Sequence, residues 1–168
     1  EEICGLKWEN VDLQRHLVLI REARTAYGAT IVQKETKNRS SVRTLYMPDE
    51  VYLLLEQEQA RQQQERCLHD LEYNPTDHVI LDAKGVPYSP NALSLAFTRF
   101  VKKNNLPRLT FHGLRHTFAT IASCQGASLF DIGKALGHST PATTGRIYTH
   151  LVDRTHEELV QRVSDALK

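Results

Sequence analysis

The alternation of hydrophobic and polar positions divides the chain into a β-rich beginning and a mainly helical remainder. Short runs rich in apolar and β-branched residues predict strands at 16–22, 29–36 and 41–48. Turn-forming residues separate these runs, at Tyr27-Gly28 and at 38–40. We therefore expect a small antiparallel sheet at the N-terminus, and a further short strand at HVILD, residues 78–82.

The segment at 49–69 carries the first long helical pattern. It begins after Pro48 and is rich in Glu, Gln and Arg. Its apolar positions, Val51, Leu54 and Leu55, form only a narrow stripe. A helix with so little apolar surface is expected on the outside of the fold.

Capping residues mark the ends of the helices that follow. Ser89 is suited to be the N-cap of a helix at about 90–103. The core-facing side chains predicted for that helix are Leu93, Leu95, Phe97 and Val101. The remaining predicted helices run from the cap Thr110 to about 123, from the cap Ser128 to Gly137, from Thr140 to Tyr148, and from Asp153 or Thr155 to the end.

These elements predict an α+β fold that is mainly helical, with the small N-terminal sheet packed on a helical core. At 168 residues the chain can bury about two thirds of its unfolded surface, so it needs neither a disulfide nor a metal to fold. Cys4, Cys67 and Cys124 are far apart, which indicates free thiols in a reducing cytoplasm. No apolar run approaches the roughly 20 residues of a membrane span, and no secretory leader is recognisable.

Charge is distributed unevenly along a chain whose net charge is +1. Nine acidic and two basic residues lie between Asp49 and Asp82, whereas the 48 residues from Ala83 to Phe130 contain six basic residues and no acidic one. A solvated basic face is one interpretation of that stretch. The sharper interpretation is a surface that faces a polyanion such as DNA, where each acid would weaken binding.

The segment FHGLRHTF concentrates candidate chemistry at the start of a predicted helix. His112 and Arg115 are three residues apart, so they lie on nearly the same helical face. Arg115 is a permanent cation whose planar fork matches two oxygens of a phosphate. The neighbouring side chains expected in the core are Leu114, Phe118, Ile121 and the imidazole of His116.

Two more motifs follow in order. LGHS, at 136–139, places His138 directly after a glycine that is expected to end a helix. The pair Thr143-Thr144 then precedes Tyr148. A single histidine or tyrosine in such a place is usually a core or surface residue, so the joint occurrence of these motifs is the informative feature.

These residues resemble motifs of the tyrosine recombinase family, which includes phage integrases, transposon integrases and chromosome-dimer resolvases. His112, Arg115 and His116 match its His-x-x-Arg-His box, LGHS matches its Leu-Gly-His-Ser box, and Tyr148 follows the Thr-Thr pair as its nucleophile does. EEICGLKWENVDL resembles the segment directly after the family's first catalytic arginine. TKNRSSVRTLYMP resembles the hairpin that carries its catalytic lysine, which would be Lys37, with Lys34 as the alternative register.

The resemblance covers essentially the whole chain and implies a reaction. Tyr148 would attack a DNA phosphodiester and form a covalent 3′-phosphotyrosine, which needs no ATP because a second DNA end can attack it. Arg115, His112 and His138 would surround the phosphate, with His112 as the preferred acceptor of the phenol proton and His138 as a donor to a phosphate oxygen. Lys37 would protonate the leaving 5′ oxygen.

The family's first arginine lies three residues before the acid that matches Glu2, and thus before the first residue of this sequence. We expect residues 1–168 to be a catalytic domain that begins just after that arginine, with a DNA-clamping domain outside it. On that expectation the 168-residue chain is crippled or inactive by itself. Glu2 would orient the phosphate-binding groups as a supporting residue.

The resemblance also implies partners and a location. We expect double-stranded DNA as substrate, a homotetramer on DNA whose last helix (155–168) docks on a neighbour, a monomer in free solution, and accessory DNA-bending proteins. Neither a metal nor another cofactor nor a membrane is implied, and the expected place is the bacterial cytoplasm or nucleoid, with a phage or mobile element as another source of the gene. The predicted DNA contacts are Lys34, Arg39, Arg43, Arg99, Lys102, Lys103 and Arg108.

Three alternatives remain open at this level. A type IB topoisomerase would use the same chemistry to relax supercoils, and a DNA-binding module without catalysis would need only the basic stretch. A zinc hydrolase could use His112, His116 and His138 as ligands. However, Gly113 stands where the HExxH motif requires Glu.

Overall fold

The computed structural model describes residues 1–28, 30–35, 41–69 and 73–138. The described helices and strands are α1 (Glu2–Gly5), β1 (Val11–Asp12), β2 (Leu17–Ile20), β3 (Glu22–Tyr27), β4 (Thr30–Glu35), β5 (Arg43–Tyr46), α2 (Asp49–His69), α3 (Pro90–Lys103), α4 (Phe111–Cys124) and α5 (Leu129–Leu136). The chain forms two compact units, Glu1–Leu106 and Pro107–Lys168. The helices predicted at 140–148 and 155–168 lie outside the described residues.

The predicted antiparallel sheet is present, but it consists of two separate sheets. One has the strand order β1-β2-β5, and the other is the β3–β4 hairpin. The prediction of one strand at 16–22 is wrong, because β2 ends at Ile20 and β3 begins at Glu22. Long-range pairing explains the break, since β2 pairs with β5 whereas β3 pairs with β4 across the predicted turn at Gly28 (φ 60°).

One face of the three-stranded sheet forms the core of the first unit. Val18 and Ile20 alternate onto this face and are buried there with Met47, just after β5. The partly buried side chains packed against them are Leu6, Val11, Leu13, Leu45 and Leu55. This core therefore joins the sheet to α2, which supplies Leu55.

The helix α2 has the predicted bounds and is mostly exposed, as predicted, and even its narrow apolar stripe is only partly covered. Val51 and Leu54 are exposed, whereas Gln62 is 3% exposed. Gln62 accepts a hydrogen bond from Trp8 Nε1 (2.9 Å) and donates one to the carbonyl of Val79 (2.9 Å). Because its polar atoms are satisfied by other segments, a glutamine occupies a place that hydrophobic patterning assigns to an apolar residue.

The predicted strand at 78–82 is absent as a regular strand. It makes only two isolated bridges, Lys7 to His78 and Leu81 to Pro87. Asn74 (φ 49°) and Asp77 (φ 58°) shape the turn before it, and Asn74 is buried with its side chain bound to the backbone of His78. Such a local side-chain bond competes with a regular ladder, so the segment folds as a braced loop.

The helix α3 confirms the Ser89 cap, whose Oγ accepts a hydrogen bond from the main-chain N–H of Ala92 (3.1 Å). Val101 is buried, and Phe97 and Leu93 are half-buried one and two turns earlier, respectively. The prediction that Leu95 faces the core is wrong, because it is exposed. Leu95 lies two residues from Leu93, about 200° around the helix, and so faces away from the buried side.

The second unit contains α4 and α5, and its predicted caps are confirmed. Thr110 Oγ1 accepts from Gly113 N–H (2.9 Å), and Ser128 Oγ accepts from Asp131 N–H (3.0 Å). The helix α4 ends at Cys124, close to the predicted end at about 123, and Gly126 (φ 85°) forms the turn just after it.

The predicted core face of α4 is wrong. Leu114, Phe118 and Ile121 are exposed, whereas the buried cluster comprises Ala119, Ile132 and Leu136. Small residues explain the difference, because alanines on α4 let the backbone of α5 approach closely and bury its own larger side chains.

Candidate functional site

The first two turns of α4 carry the two histidines of the His-x-x-Arg-His segment. His112 is exposed and His116, one turn later, is half-buried. Their rings are 4.5 Å apart between centroids and meet edge to face at 86°. Thr110 caps the start of the helix, so the positive end of the helix dipole lies beside His112.

Arg115 connects this turn to the end of α5. Its guanidinium is half-buried, and Nη2 donates a hydrogen bond to the main-chain carbonyl of Leu136. Leu136 is the last residue of α5, where carbonyl groups have no partner within their own helix. The arginine therefore ties α4 to α5 through a bond to a helix C-terminus.

A Schellman motif sets the position of His138. Gly137 adopts the left-handed conformation (φ 69°), the main-chain N–H of His138 donates to the carbonyl of Gly133 (2.9 Å), and that of Gly137 donates to Lys134 (3.1 Å). His138 thus lies two residues after Leu136, whose carbonyl accepts the hydrogen bond from Arg115. The fold brings Arg115 on α4 to the end of α5, two residues before His138, and this corner of the second unit also includes the helix that carries His112.

In the first unit, Glu2 and Arg43 form a bidentate ion pair. Arg43 Nη1 donates to Glu2 Oε1 and Nη2 donates to Oε2, both at 2.9 Å. The Arg43 side chain is 10% exposed. The pair joins α1 to the start of β5, so the predicted DNA contact at Arg43 would compete with a salt bridge inside the unit.

The other predicted basic contacts differ in their surroundings. Lys34 is exposed on β4, with Nζ 5.4 Å from the centre of the Tyr27 ring. The side chains of Arg99, Lys102, Lys103 and Arg108 are exposed. Lys102 and Lys103 are in the last turn of α3, where the helix dipole also favours cations. Lys37, Arg39 and Tyr148 lie outside the described residues.

The sequence interpretation missed His78, which is 3% exposed and sits at the base of the β3–β4 hairpin. Its Nε2 is 2.8 Å from Gln33 Oε1, and its Nδ1 is 2.8 Å from Thr76 Oγ1. Burial lowers the pKa of His78, and the nearby cations Arg24 and Lys7 lower that pKa further, against a smaller opposing effect of Glu22. No periodicity or motif marks this position, because its partner Gln33 is 45 residues away.

The described part of the chain has neither a cluster of metal-binding side chains nor a membrane-spanning helix. In residues 1–28, 30–35, 41–69 and 73–138, no group of three or more His, Cys, Asp and Glu side chains is arranged to hold a metal ion. The three histidines of the zinc alternative are all described, so they do not form a ligand set here. Within the same ranges, no helix is both long and apolar enough to cross a bilayer.

Known proteins resemble the chain over nearly its whole length. The model of the phage integrase family matches residues 1–155. A tyrosine recombinase XerC-like protein of Caldanaerobacter subterraneus is 25% identical, with 98% of this chain and 45% of that protein covered. The ICEBs1 integrase of Bacillus subtilis is 24% identical, with 99% and 45% covered. The chain thus spans about half the length of these curated relatives.

Solved structures share the fold. The Tn1549 transposon integrase, in complex with transposon right end DNA, superposes with a TM-score of 0.76 at 24% identity, covering 95% of this chain and 54% of that chain. The XerA recombinase superposes with a TM-score of 0.66 at 26% identity, covering 96% and 51%. The mixed α+β fold predicted from the sequence is therefore confirmed.

Proposed function

Because the chain belongs to the phage integrase family, we propose that it is the catalytic domain of a site-specific DNA recombinase, which breaks and rejoins strands through a covalent 3′-phosphotyrosine. The observation that carries this proposal is the corner in which Arg115 is bonded to the carbonyl of Leu136, two residues before His138. It supports a site for a phosphate anion. The recombinase and integrase relatives support the assignment of that anion to DNA.

The corner suits the charge that develops during the reaction. Attack on a phosphodiester adds negative charge to the non-bridging oxygens, and fixed donors that face this charge each contribute on the order of 3 kcal/mol. Arg115 would contact two of these oxygens, and His138 would donate to one. Arg115 is half-buried and held by Leu136, so little freedom is lost when it meets the phosphate.

The nucleophile and the general acid complete the mechanism. The Tyr148 oxygen attacks phosphorus, its proton passes to His112, and the bond from phosphorus to the 5′ oxygen breaks. Lys37, or Lys34 in the other register, donates the proton that the leaving oxygen takes up. His112 is exposed, as a side chain that meets a substrate must be. Rejoining reverses these steps with a new 5′ hydroxyl as nucleophile.

Double-stranded DNA is the proposed substrate, and a homotetramer on DNA is the proposed assembly. The exposed basic side chains at the end of α3, Arg99, Lys102 and Lys103, would contact the phosphate backbone without reading sequence. The same applies to Arg108, Lys34 and Arg39. Accessory DNA-bending proteins are proposed as further partners. Glu2 would support the site indirectly, through its bidentate bond to Arg43.

A trapping experiment tests the function. Full-length protein is incubated with a pool of randomised duplexes that carry a nick, so that the short cleaved strand diffuses away and religation fails. We expect a covalent protein–DNA adduct on a denaturing gel, with cleavage sites identified by sequencing, and no adduct from Tyr148→Phe. Equal trapping by both proteins would disprove the role of Tyr148, and absence of any adduct would favour a binding module.

A second measurement separates a recombinase from a type IB topoisomerase. A duplex recovered from the pool is mixed with a labelled second copy, and strand exchange between the two is followed. A recombinase joins strands from different duplexes. Relaxation of a supercoiled plasmid without any exchange would support the topoisomerase alternative.

A further inference from the structure

The β3–β4 hairpin is attached to the body of the first unit through polar contacts at its base. Gln33, on β4, is the residue that reaches furthest. Its Nε2 donates to the carboxylate of Glu22 on β3 and to the carbonyl of Gly5 in α1 (3.4 Å), and its Oε1 faces His78 Nε2 at 2.8 Å. One side chain thus joins β3, β4, α1 and the braced loop that carries His78.

The hydrogen-bond network determines how the ring of His78 is used. A carboxylate and a carbonyl only accept, so the Gln33 amide nitrogen must point to Glu22 and Gly5 and its oxygen to His78. His78 Nε2 therefore carries the proton and donates to Gln33. In the neutral ring Nδ1 then accepts from the Thr76 hydroxyl, so both nitrogens are satisfied.

The backbone of His78 is as firmly held as its ring. Its N–H donates to Asn74 Oδ1 (2.8 Å), and its carbonyl accepts from Asn74 Nδ2 (2.8 Å). The residues on either side bond to the N-terminal segment, since Trp8 N–H donates to the carbonyl of Asp77 and Val79 N–H donates to that of Leu6, both at 3.0 Å. The backbone of His78 is therefore fixed by four hydrogen bonds in its immediate surroundings, and its ring bonds to Gln33 from that position.

Described residues on the two sides of positions 36–40 bond to the same short helix, α1. Gln33, four residues before Lys37, bonds to the carbonyl of Gly5, and Arg43, six residues after it, forms the bidentate pair with Glu2. The side chain of Lys34 points to the other face of the hairpin from that of Gln33, because neighbouring residues in a strand alternate. The contacts of Gln33 therefore lie on the face of β4 opposite to the one that carries the Lys34 side chain.

An ordinary core role explains the histidine poorly. Stability alone favours an apolar side chain at a site that is 3% exposed, because such a side chain needs no partner for buried polar atoms. The pKa of His78 is lowered by burial and by Arg24 and Lys7, so the fold holds the ring in its neutral form. The imidazole adds a directional hydrogen bond to Gln33, which is 45 residues away in the sequence.

We propose that His78 is a positioning residue, which through Gln33 holds β4 so that the lysine of the hairpin reaches the leaving 5′ oxygen. This inference rests on the proposed function. Loss of the His78–Gln33 bond misplaces the general acid and leaves the phosphate-binding corner in the second unit unchanged. Protonation of the leaving oxygen is therefore slowed, whereas attack by Tyr148 keeps its donors.

A pair of substrates separates the two steps. A duplex recovered from the randomised pool is prepared with its natural bridging 5′ oxygen and, in parallel, with sulfur at that atom. A thiol is far more acidic than an alcohol, so the sulfur leaves as thiolate and needs no general acid. In both substrates the phosphorus is attacked in the same way. The ratio of the cleavage rate with the oxygen substrate to that with the sulfur substrate therefore measures the contribution of the general acid.

The variants are chosen to separate position from stability. His78→Phe and Gln33→Leu each break the bond and leave one buried polar group without its partner, whereas the double variant removes both groups. The double variant is therefore expected to unfold closer to wild type than either single variant. Leu55→Ala is the matched control, because it loosens the core of the same unit without touching the hairpin.

With the oxygen substrate, full-length His78→Phe, Gln33→Leu and the double variant should each cleave about 10- to 100-fold more slowly. With the sulfur substrate, all three should stay within about threefold of wild type, and Leu55→Ala should show no difference between substrates. Equal slowing on both substrates, wild-type rates on both, or recovery of the oxygen rate in the double variant would overturn the proposal. Trapping by Tyr148→Phe would instead overturn the proposed function.

Discussion

Arg115 on α4 donates a hydrogen bond from Nη2 to the main-chain oxygen of Leu136, the last residue of α5. This bond gives the guanidinium a fixed orientation at the place where the chain turns toward His138. A planar guanidinium held in this way matches the geometry of a phosphate, which is the role proposed for Arg115. The bond supports the proposal that Arg115 and His138, 23 positions apart in the sequence, act on one anion.

Arg115→Lys should lower the rate of covalent adduct formation by roughly 100-fold or more, because an ammonium group cannot contact Leu136 and two phosphate oxygens in one plane. The rate is measured in the full-length protein on a duplex recovered from the randomised pool. Arg108→Lys is the control and should change the rate little, since it keeps a charge at an exposed position. Near-normal cleavage by Arg115→Lys would contradict the assigned role.

The two lysine registers make different predictions. If Lys37 is the general acid, Lys37→Ala should slow cleavage of the oxygen substrate by about 100-fold or more and should leave the sulfur substrate nearly unchanged. Lys34→Ala should then affect both substrates equally and weakly, because Lys34 packs its ammonium over the ring of Tyr27. The opposite pattern would assign the general acid to Lys34.

Glu2→Gln should lower the free energy of unfolding by roughly 1–3 kcal/mol, because it leaves the guanidinium of Arg43, 10% exposed, without its bidentate partner. Glu9→Gln is the matched control. Its pair with Arg21 is as short (2.7 Å), but both side chains are more than a third exposed, so the loss should be under about 1 kcal/mol. Urea unfolding of the 168-residue chain measures the free energy of unfolding of both variants. Equal losses in the two variants would show that the buried pair contributes no more than the exposed one.

Gly137→Ala should destabilise the chain by about 1–2 kcal/mol, because alanine disfavours the left-handed conformation (φ 69°). It should also slow cleavage, since the Schellman motif places His138. Gly126→Ala is the control, because it carries the same strain (φ 85°), has open space around the added carbon, and is not followed by a site residue. Thermal unfolding should therefore respond to both substitutions, and the cleavage rate mainly to Gly137→Ala.

Acid should destabilise the first unit through His78. Its pKa is lower in the folded chain than the ordinary value of 6.5, because of burial and the cations Arg24 and Lys7, partly opposed by Glu22. The unfolded chain then binds the proton more readily, so the free energy of unfolding falls as the pH drops below about 6.5. His78→Phe should reduce this slope in urea unfolding at pH 5 to 8, and an unchanged slope would exclude this histidine as its source.

Local sequence determined the ends of most helices. Ser89, Thr110 and Ser128 cap helices because a side-chain oxygen accepts from an N–H three residues later, a bond that needs no distant partner. The turns at Gly28, Gly126 and Gly137 follow for the same reason, since a positive φ favours glycine wherever it occurs. Order and spacing of motifs were also sufficient to identify the family.

Only the tertiary structure decided which faces are buried and which distant groups meet. Leu114, Phe118 and Ile121 form a good apolar face on α4, yet α5 packs against the alanine side, because close approach of backbones depends on both helices. Arg43 has Glu2 as its partner, and Gln33 has His78, through contacts that span 41 and 45 residues. A pattern along one segment records its own amphipathicity, whereas these contacts depend on where other segments place their polar atoms, which no local pattern contains.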